Sequence, residues 1–211
     1  MEHQLTAVLA ADVVGYSRLM GLDVAGTLSA LKTHRREMTD SKIAEHKGHI
    51  VKVTGDGMLV EFPSVVNAVA CATEIQRRMR QRNVDVPEDR RIEFRIGIHL
   101  GDIIFEDNDI YGDGLNIAAR IESLAKPGGV AVSGSVRDNV GNRLDLIFED
   151  TGEQTLKNID RSVRVYNVEL FQPIATDVTP MATLAKEKPS IAVLPFNNMS
   201  GDPEQNILLT A

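Results

Sequence analysis

Cysteine is nearly missing from this sequence: Cys71 is the single one in 211 residues. No disulfide can close within the chain, which fits a reducing compartment. Basic residues are outnumbered, with 23 Lys and Arg against 30 Asp and Glu, a net charge of −7. Non-specific binding to a nucleic-acid backbone is therefore disfavoured, and any bound phosphate needs a local positive spot or a metal. Long hydrophobic runs are missing too. No stretch approaches the roughly 20 apolar residues of a membrane span. The N-terminal LTAVLAADVVG is too short and too alanine-rich for a secretory signal, and no basic residues precede it. The sequence holds no GxxxxGK[ST] phosphate loop, no GxGxxG dinucleotide fingerprint and no Cys/His metal cluster. It has neither internal repeats nor a low-complexity tract. These absences point to a cytoplasmic protein with no nucleic-acid partner and no membrane segment.

What is there is enough for a core: hydrophobic residues make up 43% of the chain. Leu5 to Val14 reads as a buried strand, interrupted near its end by Asp12. Ser17 to about Glu45 follows a helical pattern, with Leu28 and Leu31 on one face. HIVKVTGDGMLVEF, from His49 to Phe62, reads as a hairpin turning at Gly55-Asp56-Gly57. Val65, Val69, Ala72 and Met79 share a helical stripe, and the basic residues closing that helix suit its dipole. RIEFRIGIHLGDIIFED alternates around Gly101-Asp102 and reads as a second hairpin. Gly112 to Ala125 is helical, GGVAVS a short strand, Ser135 to Val140 a short helix, and LDLIFEDTG and VRVYNVEL close the series as strands. Helices set between hairpins predict an α+β fold, a mostly antiparallel sheet covered by helices on one face. Residues 1–172 form this domain. Residues 173–189 hold three prolines and read as a linker. Residues 190–211 open on a new apolar strand and read as the truncated start of a further domain.

Two carboxylates stand out. An unpaired charge at Asp12, after TAVLAA, would cost several kcal/mol if buried, on the order of known burial penalties for ions. Asp56 sits at a hairpin tip. If their strands are neighbours, the two converge at one sheet edge, and oxygen ligands on rigid strands suit Mg²⁺ or Mn²⁺. Taken alone, Asp56 is equally an ordinary Asp-Gly turn residue. Asn116 and Arg120 share a helix face, with Ile117, Ile121 and Leu124 on another. Asp109 lies just before that helix. A solvated polar face with a capping Asp reads equally well there. His46 and His49 read as surface residues, His99 as structural and Cys71 as a small core residue.

AADVVGYSRLM, VKVTGDGMLVEF, RIGIHLGDI, DIYGDGLNIAARIE and TLKNIDRSVRVYNV resemble, in order and spacing, the class III nucleotidyl cyclase catalytic domain, over about Leu5 to Leu170. The resemblance implies a ferredoxin-like βαββαβ core and a head-to-tail homodimer with sites at the interface. It implies Asp12, Asp56 and the backbone carbonyl of Val13 as ligands of two Mg²⁺ or Mn²⁺ ions per site. Lys52 and Asp109 match the purine-reading pair. Adenine offers an acceptor at N1 and a donor at N6, which a Lys and an Asp complement, whereas guanine reverses both polarities. Asn116 matches the residue that orients the ribose, and Arg120 the one that stabilises charge on the α-phosphoryl group. Lys157 matches a phosphate-binding Lys, although Asn158 stands where Gly is more usual. In the family, Lys52, Asp109, Asn116 and Arg120 serve the nucleotide whose metals belong to the partner chain. Tyr111 replaces a frequent Trp beside the Asp109 motif, a change that should not affect the chemistry. The implied activity is conversion of ATP to 3′,5′-cyclic AMP and pyrophosphate. The alternatives are a guanylate cyclase, disfavoured by Lys52 and Asp109, and a non-catalytic nucleotide-sensing module. KPSIAVLPFNNMSGDPEQ resembles the start of the TolB-like region that follows cyclase domains in some bacterial proteins, which implies downstream regulatory domains.

Overall fold

The computed structural model describes residues 2–106 and 109–170, within the unit Met1–Gln172. The linker and the residues after it, expected at 173–189 and 190–211, lie outside the described residues.

The first strand, β1 (Glu2–Val13), explains its own composition. Ala7, Leu9, Ala11 and Val13 point into one core, while Val8 and Ala10 point into another. A strand buried on both faces needs a continuous apolar run, not alternation. β1 lies between β3 (Gly57–Phe62) and β4 (Phe94–Glu106), antiparallel to both. β2 (His49–Thr54) pairs with β3 as the expected hairpin. β5 (Asp109–Tyr111) pairs with the end of β4. The sheet is completed by β6 (Val130–Ser133), β7 (Ile147–Gln154) and β8 (Val163–Glu169), in the order β2-β3-β1-β4-β6-β8-β7. Only β4 and β6 run parallel among the pairs described. The β4-β1-β3-β2 half, with helices between its strands, is the expected ferredoxin-like βαββαβ core.

The helical stretch after β1 is divided. α1 (Tyr16–Leu22) ends at Asp23, whose side chain accepts a 2.8 Å bond from the Gly26 amide and caps α2 (Val24–His34). A π-helical turn, Arg35–Thr39, joins α2 to α3 (Asp40–Glu45). α4 (Val65–Arg82) buries Val65, Ala68, Val69, Ala72, Ile75 and Met79 on the first core, as its stripe predicts. Glu74 of α4 ties it to α3, pairing with Lys42 at 3.0 Å and His46 at 3.2 Å. α6 (Gly134–Val140) lies on the same side through Val136 and Val140.

Three expectations need correction. The helices do not all cover one face. α5 (Asp113–Leu124) covers the opposite face, where Ala118 meets Val8, Ala10 and Ile103, and Ile117 and Ile121 meet Ala131, Leu156, Val163 and Val165. Small residues permit this: a Cβ at Gly97 of β4 would fall 2.1 Å from the Glu122 nitrogen and 2.5 Å from the Ala118 oxygen of α5. Leu124, expected inside with Ile117 and Ile121, is 44% exposed at the end of the helix. The second hairpin does not turn at Gly101-Asp102 either. β4 runs straight through, because β1 is long enough to pair with it from Val13↔Phe94 to Glu2↔Phe105, taking in Thr6↔Gly101 and Leu5↔Asp102.

Candidate active site

The site is built around the end of β1. Ala11 pairs with Met58, so Asp12 reaches the β2–β3 turn. That turn has two central residues, Gly55 and Asp56, between paired Thr54 and Gly57. Gly55 takes φ 44° and Asp56 does not share its positive φ, the pattern of a II′ hairpin with Gly first. Asp56 is thereby fixed at the tip. Gly57 leaves room beside it: a Cβ there would sit 3.1 Å from the Ala11 carbonyl oxygen and 3.6 Å from Asp12 Oδ1. Burial raises the Asp12 pKa above the usual carboxylate range, and the nearby Asp56 carboxylate raises it further, against the Arg95 guanidinium. Two carboxylates forced together in this way favour a cation between them. Val13 makes the next rung with Phe94 and ends the strand.

Arg95 and Glu122 complete this corner, and neither stood out in the sequence. Arg95 pairs with Asp12 across β1 and β4, and its Nη2 donates to Asp12 Oδ2 at 3.2 Å. Its Nε lies 3.0 Å from Glu122 Oε1 on α5. That second contact is close but misaligned, so both atoms are buried without an aligned hydrogen bond. Burial pushes the Glu122 carboxyl up to about 7, although Arg95 pulls the other way. One signal in the sequence could have found Glu122. It follows Ala118 by one turn, on the apolar stripe of α5, where a charge needs a partner.

The other predicted residues stand on separate elements. Lys52 pairs with Leu59, which packs with the cluster under α5, so Lys52 lies on the α5 side of the sheet, exposed. Asn116 and Arg120 are exposed on α5, while Ile117 and Ile121 anchor it. Lys157 is exposed in the loop before β8. Among the described residues, none of Lys52, Asn116, Arg120 and Lys157 bonds to another side chain. Asp109 begins β5, opposite Glu106; its side chain lies outside the described part. Asn158 takes φ 63°, which explains why Gly is usual there and why Asn, the residue most tolerant of that conformation, can replace it. Cys71 is fully buried, its thiol pushed up to about 12, so it belongs to the core. His99 is also buried, with Nδ1 2.9 Å from Ser133 Oγ, linking β4 to β6.

A divalent ion has a donor set here, but a lean one. Among the described residues no group of three or more His, Cys, Asp and Glu side chains gathers. Two carboxylates and one carbonyl fit Mg²⁺ or Mn²⁺, which keep waters and take substrate phosphates to fill their shells. No helix among the described residues is long and apolar enough to cross a membrane.

Comparison with known proteins places the chain in a family. The family model described as the adenylate and guanylate cyclase catalytic domain matches residues 1–169. The chain belongs to this family. A Rhizobium meliloti (strain 1021) protein named "Putative adenylate cyclase 3" is 48% identical over 97% of the chain, which spans 35% of that relative's length. Serine/threonine-protein kinase pkn2 of Myxococcus xanthus is 27% identical over 66% of the chain, which spans 16% of it. Among solved structures, the adenylate/guanylate cyclase/hydrolase from Silicibacter pomeroyi aligns with TM-score 0.73 and 48% identity, over 80% of this chain and 98% of that one. The adenylyl cyclase CyaB from P. aeruginosa shares the fold at TM-score 0.66 and 22% identity, over 80% of this chain and 96% of that one.

Proposed function

We propose that this chain is an adenylate cyclase, converting ATP to 3′,5′-cyclic AMP and pyrophosphate in a homodimer whose two sites are shared between chains. The observation that carries the reading is the Asp12–Asp56 pair, two carboxylates at adjacent strand ends, with Asp12 raised in pKa by burial and by its neighbour. The name of the Rhizobium meliloti relative supports ATP as substrate, as does the polarity of Lys52 and Asp109 toward adenine. The cytoplasm, where ATP is abundant, is the proposed location. The C-terminal segment 190–211 is proposed to begin a TolB-like regulatory region.

In this reading Asp12, Asp56 and the Val13 carbonyl hold two Mg²⁺ or Mn²⁺ ions per site. When bound, these supply a Lewis acid at the 3′-hydroxyl and a clamp on the β- and γ-phosphates. The residues of the chain do the rest. Lys52 donates to adenine N1 and Asp109 accepts from N6, which fixes the base. Asn116 orients the ribose so that its 3′-oxygen faces the α-phosphorus opposite the leaving pyrophosphate. The new bond joins the 3′-oxygen to the α-phosphorus. The bond to the pyrophosphate oxygen breaks, and the hydroxyl proton passes to water. Arg120 lies along the α-phosphoryl oxygens and stabilises the charge that gathers on them. Lys157 holds the departing phosphates. Incubation of purified protein with ATP or GTP and Mn²⁺, followed by separation of the products, tests the reading. Cyclic AMP from ATP, well in excess of cyclic GMP from GTP, is expected. Cyclic GMP alone would make the chain a guanylate cyclase, and no product from either nucleotide would make it a sensing module.

A further inference from the structure

We propose that Arg95 is a positioning residue for Asp12, with Glu122 as the counter-charge that keeps Arg95 from neutralising it; the inference rests on the metal reading of Asp12. Arg95 holds Asp12 by one oxygen only, Oδ2, at 3.2 Å. The other oxygen, Oδ1, is left on the side of Gly57 and the hairpin turn that carries Asp56. One guanidinium contact thus selects which carboxylate oxygen faces the second aspartate. A bound arginine beside a cation site would by itself oppose the cation. Glu122, whose side chain is only 10% exposed, lies at the other end of the guanidinium at 3.0 Å and in its ionised form offsets that charge. Its Oε1 and the Arg95 Nε are buried and lack an aligned hydrogen bond. Lysine would not serve: a point charge cannot span two carboxylates on different elements as the planar guanidinium does.

The experiment compares Mn²⁺ affinity, read by electron paramagnetic resonance with saturating 3′-deoxy-ATP, which lacks the attacking hydroxyl and cannot be cyclised. Four versions of the 211-residue chain are used: wild type, Asp12→Ala, Glu122→Gln, and the double variant Arg95→Met/Glu122→Met. The double variant replaces a buried ion pair by apolar side chains of similar volume, a change that is commonly neutral or stabilising. A purely structural pair is replaced by it without loss. The double variant is expected to melt near wild type and Glu122→Gln lower, and both to bind Mn²⁺ about tenfold more weakly, the usual cost of losing a residue that orients a metal ligand. Wild-type affinity in the folded double variant overturns the inference. Should that variant not fold, wild-type affinity in the near-isosteric Glu122→Gln overturns it equally. Wild-type affinity in Asp12→Ala would instead remove the metal from Asp12, and both readings would fall together.

Discussion

Single side chains carry the chemistry, and two of them can be removed without touching the core. Asp12→Ala leaves Arg95 beside Glu122, and Asp56→Ala acts at a turn whose backbone is set by Gly55. Each variant is expected to keep its circular dichroism spectrum and to lose cyclase turnover, by about a hundredfold or more if two-metal geometry is required. Near-normal turnover in either would overturn the metal assignment. His99 gives a pH prediction. Burial, chiefly, lowers its pKa from 6.5 to about 4, so the folded chain holds it neutral. The stability this contributes is complete above pH 6.5 and is lost as pH falls toward 4. It amounts to about 3 kcal/mol at 1.36 kcal/mol per pKa unit. His99→Asn, which can still bond to Ser133, should flatten the acid limb of the stability curve in urea titrations. An unchanged acid limb would assign that limb to other groups. Most of this scale was legible in the sequence, because Asp12 is a charge in an apolar run and Asp56 a charge at a turn tip. Arg95 was not, since only strand pairing brings it to Asp12.

At the scale of elements, the decisive contact is α5 against β4. Gly97 has no room for even a methyl group, because the obstructing atoms are backbone atoms of α5. Gly97→Ala should lift α5 and cost about 3 kcal/mol, at the upper end of overpacking penalties. It should also draw Glu122 away from Arg95. A denaturation midpoint within error of wild type would show that the helix can shift freely. This packing explains where the sequence misled. Sequence pattern located the stretches that became β1, β2, β3, α4, α5 and β8: β1 as a continuous apolar run, β2 and β3 by the turn between them, and α4 and α5 by their buried stripes. It could not tell which face α5 would take, because that depends on glycine at a strand position far away in the chain. Gly101-Asp102 has the composition of a turn, yet β1 holds it in a ladder; the length of a partner strand overrode the local signal. The division of the Ser17–Glu45 stretch at Asp23 was missed, although Asp23 is a good capping residue.

For the whole molecule, the prediction concerns two chains together. In the shared-site reading, Asp56→Ala and Arg120→Ala chains are each inactive as homodimers. In a mixed dimer one site collects both defects, and the other is intact. Random pairing of equal amounts makes half the dimers mixed, so activity should return to roughly a quarter of wild type per chain. If labelled chains show exchange and the mixture stays inactive, each chain must build its own site. The hairpin makes the shared arrangement mechanically unusual. Lys52 stands on β2 and Asp56 in the two-residue turn that follows it, with paired Thr54 and Gly57 at the base of the turn, so the turn has no slack. In the shared-site reading a base reader for one nucleotide and a carboxylate for another would ride on the same short lever, so that a displacement of either would be felt at the opposite site.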